Sequence, residues 1–444
     1  MIAKYRPASV AGLCALVLAV FCNALGVAFL LDDLGDIADN PAARAATFFE
    51  RLPQTNRPFT KASYALNDAL HGLAPAGYAA VNVALHLICL AFACLLARRA
   101  FEKAGATAAT MCALAACAVW AVHPALTESV TYLSGRSMVL SAALMLASLH
   151  AATGARCRPA LAFACAFLAP LARETALILP LILLWWRWTI GSPRGRDWPV
   201  WVGSALAALV IAAMPRHRDL VAFSLEMRDP LLALRDNIHA ATQTLAYWFT
   251  PWRVIIMPEA PPPHAWSDPA TVVRIAGVLA AAALAFAVRR TAPAAAFGIG
   301  LALLALVPSN TIVWRVDPVA MKPLYLAGLG LSLAAVDIAR RLAGPRIALP
   351  IAAMTALALG LQTHARNALF QNEVALFADA VAKTPDNARA WIAYGSALMA
   401  DRRYDEAEIA LTRGLDLAPQ DERAMNLLGA IATIRSVERN GGGR

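Results

Sequence analysis

Apolar residues dominate the chain in long runs that short polar segments interrupt. Runs of roughly 17 to 25 apolar residues can cross a hydrocarbon core of about 30 Å as helices. The runs lie at 8–31, 77–97, 106–122, 137–152, 159–171, 175–188, 198–213, 271–288, 292–307, 325–339 and 347–362. This pattern predicts an all-α, polytopic membrane domain over residues 1–364 with about eleven spans. The fifth and sixth runs are short and could form a tilted hairpin instead.

Two apolar segments need a separate interpretation. A span over 238–257 would reverse the side of every later loop, so we predict a partly embedded interfacial element there. Trp248 and Trp252 would anchor it at the level of the lipid headgroups. The first run is too long for the apolar part of a signal peptide, which predicts an uncleaved first helix.

Residues 365–439 follow a different pattern, that of a small soluble helical module. Their large and small residues fall on the positions of a 34-residue tetratricopeptide repeat. These positions are Trp391, Tyr394, Gly395, Leu398, Tyr404, Ala407, Leu411, Gly414 and Pro419. One repeat cannot bury its own faces. We therefore expect a preceding helix over 367–383, fused to the last span, and a closing helix over 421–439, before a disordered tail at 440–444. The module could serve as a helical cap or as a peptide-binding groove.

Composition supports the membrane assignment and narrows the partners. Hydrophobic residues make up 59% of the chain and charged residues 15%, against about 25% charged in soluble domains. The net charge is +10, but residues 365–444 carry 10 basic and 11 acidic side chains. The basic excess therefore lies in the membrane domain, which argues against nucleic-acid binding. The eight cysteines lie in or beside spans without metal-ligand spacing, so neither disulfides nor zinc are predicted.

The distribution of lysine and arginine predicts the orientation. With the amino terminus in the cytoplasm, the cytoplasmic segments hold fifteen basic residues, including the Arg289–Arg290 turn. Only three acidic residues accompany them. The longer external segments carry nearly equal numbers of basic and acidic residues, as the positive-inside rule requires. An odd number of spans then places the repeat module in the periplasm. High alanine content also fits a multi-pass protein of a bacterial inner membrane.

Charged residues in the predicted external loops are the candidates for chemistry. The first loop carries Asp32, Asp33, Asp36 and Asp39. It could simply be a solvated acidic loop, or desolvation at the bilayer boundary could raise the basicity of one carboxylate enough for general-base catalysis. The other candidates are Arg57, His123, Glu128, Arg136, Arg173, Glu174, Lys322 and Tyr325. A single arginine among them could equally be a snorkelling anchor. His86 is expected to form an interhelical hydrogen bond.

The order of these motifs carries a family resemblance. The segments are Asp32-Asp33, Asn40-Pro41, Arg57-Pro58, Asn67, Gly77-Tyr78, Asn82, His86, His123-Pro124, Glu128, Ser134-Gly135-Arg136, Arg173-Glu174-Thr175 and Pro308-Ser309-Asn310. Together they resemble the transmembrane and tetratricopeptide repeat (TMTC) proteins. Those are GT-C membrane glycosyltransferases related to protein O-mannosyltransferases. The resemblance covers nearly the whole chain, although the repeat module is shorter than the arrays common in that family.

The resemblance implies transfer of a sugar from a polyprenyl-phosphate carrier to a hydroxyl group. In that family the sugar is mannose, and the acceptor is a Ser or Thr of a protein. Asp33 would be the base, with Asp32 as its orienting partner or as the alternate base. The phosphate and substrate would be bound by Arg57, His123, Glu128, Arg136, Arg173, Glu174, Lys322 and Tyr325. Lys322 stands where the family usually has arginine, so it lacks the bidentate fork. Lipid phosphate is a good leaving group, and we expect neither a metal nor another cofactor.

Two alternatives remain open at the level of sequence. The acceptor could be a lipid or a surface glycan rather than a protein. The chain could also be a noncatalytic membrane scaffold that recruits partners through its repeat module. A transporter fits less well, because the charged groups converge on one mouth and not on the midplane of the bilayer.

Overall fold

The structure is a computed structural model, and it describes residues 7–154, 156–191, 197–259, 261–262, 264–311 and 317–441. These residues form helices and connecting turns, with no strand among them. The predicted all-α class is therefore confirmed. The last helix continues to Gly441, which contradicts the predicted disorder at 440 and 441. Residues 442–444 lie outside the described part of the chain.

The described residues form twenty α-helices. Sixteen belong to the apolar domain: α1 (Pro7–Phe21), α2 (Phe48–Arg51), α3 (Pro58–His71), α4 (Pro75–Lys103), α5 (Ala109–Ala121), α6 (Thr127–Val130), α7 (Arg136–Thr153), α8 (Pro159–Ala172), α9 (Leu179–Thr189), α10 (Trp198–Ala213), α11 (Pro215–Met227), α12 (Pro230–Phe249), α13 (Pro269–Ala287), α14 (Pro293–Leu306), α15 (Leu324–Ala343) and α16 (Pro345–Leu369). The carboxy-terminal four are α17 (Glu373–Lys383), α18 (Ala388–Ala400), α19 (Tyr404–Leu417) and α20 (Glu422–Gly441). Many begin at proline, whose fixed φ suits the first helical position, where no amide hydrogen is needed.

Every predicted span overlaps a helix, although residues 27–31 of the first are not helical. By length and composition, fewer segments than predicted could cross a membrane completely. Among the described residues, five segments are long and apolar enough to cross a membrane: Ser9–Gly26, Pro75–Lys103, Leu133–Thr153, Pro269–Ala287 and Pro345–Leu369. Two further pairs qualify if each bent pair counts as one span, α5 with the segment Pro124–Val130 and α10 with α11. These pairs bend by 59° and 76°. The count of eleven stays a prediction.

The apolar helices pack closely where small residues meet. A Cβ atom added to Gly298 of α14 would lie 2.3 Å from the carbonyl oxygen of Gly330 in α15, and the reverse contact is equally short. Only glycine at both positions lets the two backbones approach this closely, as is common for helices in membranes. Around this pair, α4, α5, α7 and α15 share one hydrophobic core in which Trp120 and Trp186 are fully buried.

The repeat module has the predicted helix pair. A Cβ on Gly395 of α18 would lie 2.6 Å from Leu411 of α19, and one on Gly414 would lie 2.7 Å from Ile392. Both glycines therefore set the close approach of the two helices. The expected fusion of the preceding helix to the last span is wrong. The chain turns after α16, and the side chain of Asn372 caps a separate helix by accepting the amide hydrogens of residues 374 and 375.

Trp248 does not anchor the chain at the bilayer surface. It lies in the interior, stacked on the ring of His123 with 3.7 Å between the ring centroids. Gly328 makes room for it, since a Cβ there would lie 2.1 Å from the indole. The prediction for Trp248 is therefore wrong because a glycine distant in sequence opens a buried slot. Trp252 is 62% exposed.

Candidate active site

A cavity of about 670 Å³ lies between the loop after α1, the loop before α15 and the repeat module. Its polar lining consists of Asp32, Asp36, Arg57, Glu128, Tyr132, Ser134, Arg173, Asp317, Lys322, Glu373, Arg389, Ser396 and Arg423. Segments that are far apart in sequence thus meet at one end of the helical bundle. Five of the predicted site residues line this cavity, namely Asp32, Arg57, Glu128, Arg173 and Lys322.

The two adjacent aspartates have different environments. Asp32 lines the cavity, and 70% of its side chain is exposed. Its backbone amide donates to the hydroxyl of Tyr132 at 2.8 Å, which holds it at the cavity wall. The preceding residue, Leu31, has a φ of +50°, a conformation that non-glycine residues adopt at a cost of order 1 to 3 kcal/mol.

Asp33 is buried and does not line the cavity. Its carboxylate accepts the amide hydrogens of Ser134 at 2.7 Å and of Leu30 at 3.2 Å. Burial raises the pKa of Asp33 to about 7, although these hydrogen bonds and the charge of Lys322 oppose the rise. The structure therefore places Asp33 as the link between the first loop and the turn Leu133–Gly135. Its sequence neighbour is the carboxylate that faces the cavity.

Lys322 faces Asp32 across the cavity. Its Nζ lies 4.0 Å from Oδ2 of Asp32 and 5.1 Å from the centre of the Tyr132 ring. Burial lowers the pKa of Lys322, and the nearby charge of Arg173 lowers it further, while Glu128 and Asp32 oppose this. The ammonium is thus held among other cations, in a position to be stabilised by an anionic ligand.

Arg57 enters the cavity from the start of α3. Its Nε and Nη2 donate to the two carboxylate oxygens of Glu174 at 3.0 and 2.8 Å. Burial opposes ionisation of Glu174, but the charge and hydrogen bonds of Arg57 hold the pKa of that carboxyl well below its ordinary value. A bidentate pair fixes the plane of a guanidinium. Glu174 therefore orients an arginine that lines the cavity.

Glu128 and Arg173 line the part of the cavity that lies within the helical bundle, called the floor below. Both side chains are almost fully buried. Glu128 accepts the amide hydrogen of Met321 at 3.1 Å, and so it fixes the loop that carries the neighbouring Lys322. Arg173 donates from Nη1 to the hydroxyl of Ser137 at 3.0 Å. The floor thus presents carboxylates and cations together.

The repeat module forms the opposite wall of the cavity. Glu373 of α17, Arg389 and Ser396 of α18, and Arg423 of α20 all line it. Arg389 also forms an ion pair with Asp317 of the loop before α15, with 2.6 Å between Nη1 and Oδ1. The repeat module therefore forms part of the cavity lining.

Arg136 is not brought to the cavity. It is fully buried at the start of α7 and donates to four acceptors. These are Oδ1 of Asn82 at 2.8 Å, the carbonyl of Ser63 at 3.1 Å, Oδ1 of Asn67 at 2.8 Å and the carbonyl of Tyr78 at 3.0 Å. Its donors are engaged by the protein itself, which assigns Arg136 to joining α3, α4 and α7.

His123 and Tyr325 also lie outside the cavity lining. A ring nitrogen of His123 lies 3.0 Å from the carbonyl oxygen of Trp248, and the other accepts the amide hydrogen of Ala125 at 3.1 Å. The hydroxyl of Tyr325 lies 2.6 Å from Nδ1 of His86. The expected interhelical hydrogen bonding of His86 is thereby confirmed. All three side chains connect helices in the interior.

Several cavity residues were not predicted from the sequence. Ser134 stood in a recognised motif with Tyr132 two residues before it, but nothing in the pattern indicated that the Ser134 amide and the Tyr132 hydroxyl hold the two aspartates. The module residues carried no signal either, because a repeat pattern does not tell which helix face docks. No group of three His, Cys, Asp or Glu side chains that could hold a metal occurs in the part of the chain that the structure describes.

Comparisons with known proteins agree with both parts of the chain. The tetratricopeptide repeat family matches residues 374–431. The Protein O-mannosyl-transferase Tmtc3 of Drosophila melanogaster is 32% identical over 167 residues, which is 31% of this chain and 18% of that protein. Tmtc1 of the same fly is 32% identical over 149 residues, 30% of this chain and 17% of that protein. TMTC3 of Mus musculus is 29% identical over 147 residues, which is 30% of this chain and 15% of that protein.

These matches confirm the resemblance to TMTC proteins that the motifs predicted. The aligned part spans less than a fifth of the length of each relative. No solved structure matches the chain.

Proposed function

We propose that this protein is a GT-C-type membrane glycosyltransferase. It transfers a hexose from a polyprenyl-phosphate carrier to a Ser or Thr hydroxyl of a protein. Mannose is the hexose that we propose. The relatives named above are called protein O-mannosyl-transferases, which supports the reaction class.

One observation carries the proposal. An exposed carboxylate, Asp32, shares a cavity with the cations Arg57, Arg173 and Lys322. Displacement at the anomeric carbon needs a base at the incoming hydroxyl and positive charge at the departing phosphate. Asp32 takes the proton of the acceptor hydroxyl as its oxygen bonds to the anomeric carbon. The bond from that carbon to the phosphate oxygen breaks, and the cations stabilise the lipid phosphate that leaves.

The wall formed by the repeat module supports a protein acceptor. Tetratricopeptide-type helix pairs stack into concave surfaces suited to peptide segments. Here Ser396 and Arg423 face the same cavity as Asp32. A peptide lying against α18 would therefore have its hydroxyl side chains within the cavity. A small lipid or glycan acceptor would leave this wall without a role.

Topology supports an extracytoplasmic reaction. The cavity lies at the end of the bundle where the loops predicted to be external meet, and the basic turn Arg289–Arg290 lies between the other ends of α13 and α14. We therefore place the cavity and the repeat module on the periplasmic side of a bacterial inner membrane, with the amino terminus in the cytoplasm.

The test compares two aspartates of the same loop. Cells that lack the gene receive the wild type, Asp32→Asn or the control Asp39→Asn, whose side chain is exposed and outside the cavity lining. Intact masses of extracytoplasmic proteins are then measured. We expect a hexose-sized mass that wild type and control restore, and that Asp32→Asn reduces by roughly 10²- to 10⁴-fold at an unchanged protein level.

Other results of this experiment would support another acceptor or a noncatalytic function. If the sugar appears on a lipid or a surface glycan and on no protein, the acceptor is wrong but the transferase stands. If Asp32→Asn restores the mass fully, Asp32 is not the base. If deletion of the gene removes a sugar mass from no acceptor, the enzymatic assignment fails in favour of a membrane scaffold. Loss of the Asp32→Asn protein from the membrane would make Asp32 a structural residue.

A further inference from the structure

A second charged cavity lies at the other end of the helical bundle. Its volume is about 300 Å³, and its described lining is Lys103, Arg187, Trp188, Thr189, Gly191, Arg289, Arg290 and Pro293. These residues come from the ends of α4 and α9 and from the turn between α13 and α14. Three separate parts of the chain therefore build it.

This basic cavity is distinct from the active-site cavity. Asn82, near the beginning of α4, donates to the carbonyl of Leu133 beside the active-site lining. Lys103 ends the same helix, and at 1.5 Å per residue the two positions lie about 30 Å apart. A ligand in the basic cavity therefore cannot contact Asp32.

The charge of the basic cavity suits a phosphate. Four of its described lining residues are cationic, and none is acidic. Among the described residues, Asp197 forms an ion pair with Arg187, and with four cations in the lining a net positive charge remains. Arginine presents several donors in a plane that matches phosphate oxygens.

The surroundings of the basic cavity are apolar, as a lipid ligand requires. Trp188 in its lining is 62% exposed, and on the adjoining α13 Leu284 is 53% and Phe286 50% exposed. The guanidinium of Arg289 lies 3.7 Å from the centre of the Phe286 ring. The cations thus stand at the end of an exposed apolar helix face. A soluble phosphate would use the cations and leave this face uncovered.

We infer that the basic cavity binds the headgroup of an anionic phospholipid, with the acyl chains along α13. The phosphodiester contacts Lys103, Arg289 and Arg290, and the lipid joins α4, α9 and the turn before α14. Basic pockets between the cytoplasmic ends of membrane helices commonly bind anionic headgroups. This site is independent of the proposed glycosyl transfer.

The test uses the purified full chain, depleted of lipid in a neutral detergent. Phosphatidylglycerol, phosphatidylcholine and inorganic phosphate are titrated separately, and binding is followed by native mass spectrometry and by the thermal unfolding midpoint. We expect phosphatidylglycerol alone to bind stoichiometrically and to raise the midpoint. Lys103→Gln and Arg290→Gln should each weaken its binding about fivefold, as about 1 kcal/mol per cation implies.

Arg346→Gln is the matched control, since Arg346 is exposed at the start of α16 and does not line the basic cavity. It should bind as the wild type does. The thermal unfolding midpoint without lipid shows whether a variant is folded. The lipid affinities of the folded variants then decide whether the basic cavity is the binding site. The inference is overturned if phosphatidylcholine binds equally, if inorganic phosphate gives the same stabilisation, or if Lys103→Gln/Arg290→Gln retains wild-type affinity.

Discussion

The ammonium of Lys322 lies 4.0 Å from the carboxylate of Asp32, although the two residues belong to loops at opposite ends of the membrane domain sequence. Their approach places a carboxylate and an ammonium group side by side in one cavity. Asp33, the next residue after Asp32, instead accepts backbone hydrogen bonds from Ser134 and Leu30. Of the two aspartates, the one that faces the cavity is therefore Asp32, which the sequence offered as the orienting partner or as the alternate base.

The Arg57–Glu174 pair is predicted to act as a unit. Glu174→Gln should lower kcat/KM for transfer by roughly tenfold, because Arg57 loses the bidentate partner that fixes its guanidinium. A double-mutant cycle with Arg57→Gln should give a coupling free energy of about 0.5 to 3 kcal/mol in transition-state stabilisation.

The matched control for this cycle is the bidentate pair Arg403–Glu406 in the repeat module. It is exposed and outside the cavity, so its removal should leave kcat/KM unchanged. Additive effects of Arg57→Gln and Glu174→Gln would contradict the orienting role.

Stability should fall as the pH rises from about 4 to about 7. Burial raises the pKa of Asp33 in the folded state from 3.8 to about 7, so the folded protein binds this proton more tightly than the unfolded chain does. The resulting stabilisation is complete below pH 4 and is lost as the pH passes through 7. Its size is roughly 4 kcal/mol at most.

Asp33→Asn cannot titrate and serves as the comparison. The thermal unfolding midpoint in detergent, measured from pH 4 to pH 8, should fall more steeply with pH for the wild type than for this variant. Parallel profiles, or a wild-type midpoint that rises with pH relative to the variant, would exclude a buried protonated Asp33.

Arg136→Gln should lower stability rather than catalysis. The substitution leaves the buried acceptors Asn82 and Asn67 and two carbonyls without their donor. We expect a loss of about 3 kcal/mol or more in the free energy of unfolding, seen as a lower unfolding midpoint and a lower membrane level. Arg413→Gln, at an exposed position in α19, should change little. An Arg136→Gln protein that is fully stable but inactive would mean that Arg136 contacts substrate.

The helix pair of the repeat module should be sensitive to one methyl group. Gly395→Ala places a Cβ 2.6 Å from the side chain of Leu411, so that side chain or the two helices must shift, at a cost of about 1 to 3 kcal/mol. Gly429→Ala in α20 meets nothing within 4 Å and should stabilise by roughly 0.5 to 1 kcal/mol. Thermal unfolding of the full chain compares the two variants. Equal midpoints would show that the close approach is not required.

Sequence alone determined the helices, the apolar domain and the repeat module. A helix satisfies its hydrogen bonds within one segment, so the length and composition of that segment suffice to predict it. The repeat positions likewise predicted the helix module that contains Gly395 and Leu411, because both lie within one short unit of the chain.

Only the tertiary structure decided which polar residues share the cavity. Asp32 and Asp33 carry the same side chain, and a turn of the backbone with the amide of Ser134 determines which of them is exposed. In the sequence, Arg136 and Arg173 were equivalent candidates. In the structure, four acceptors from other helices surround Arg136. Burial and partner choice depend on segments distant in sequence, and local pattern carries no information about their approach.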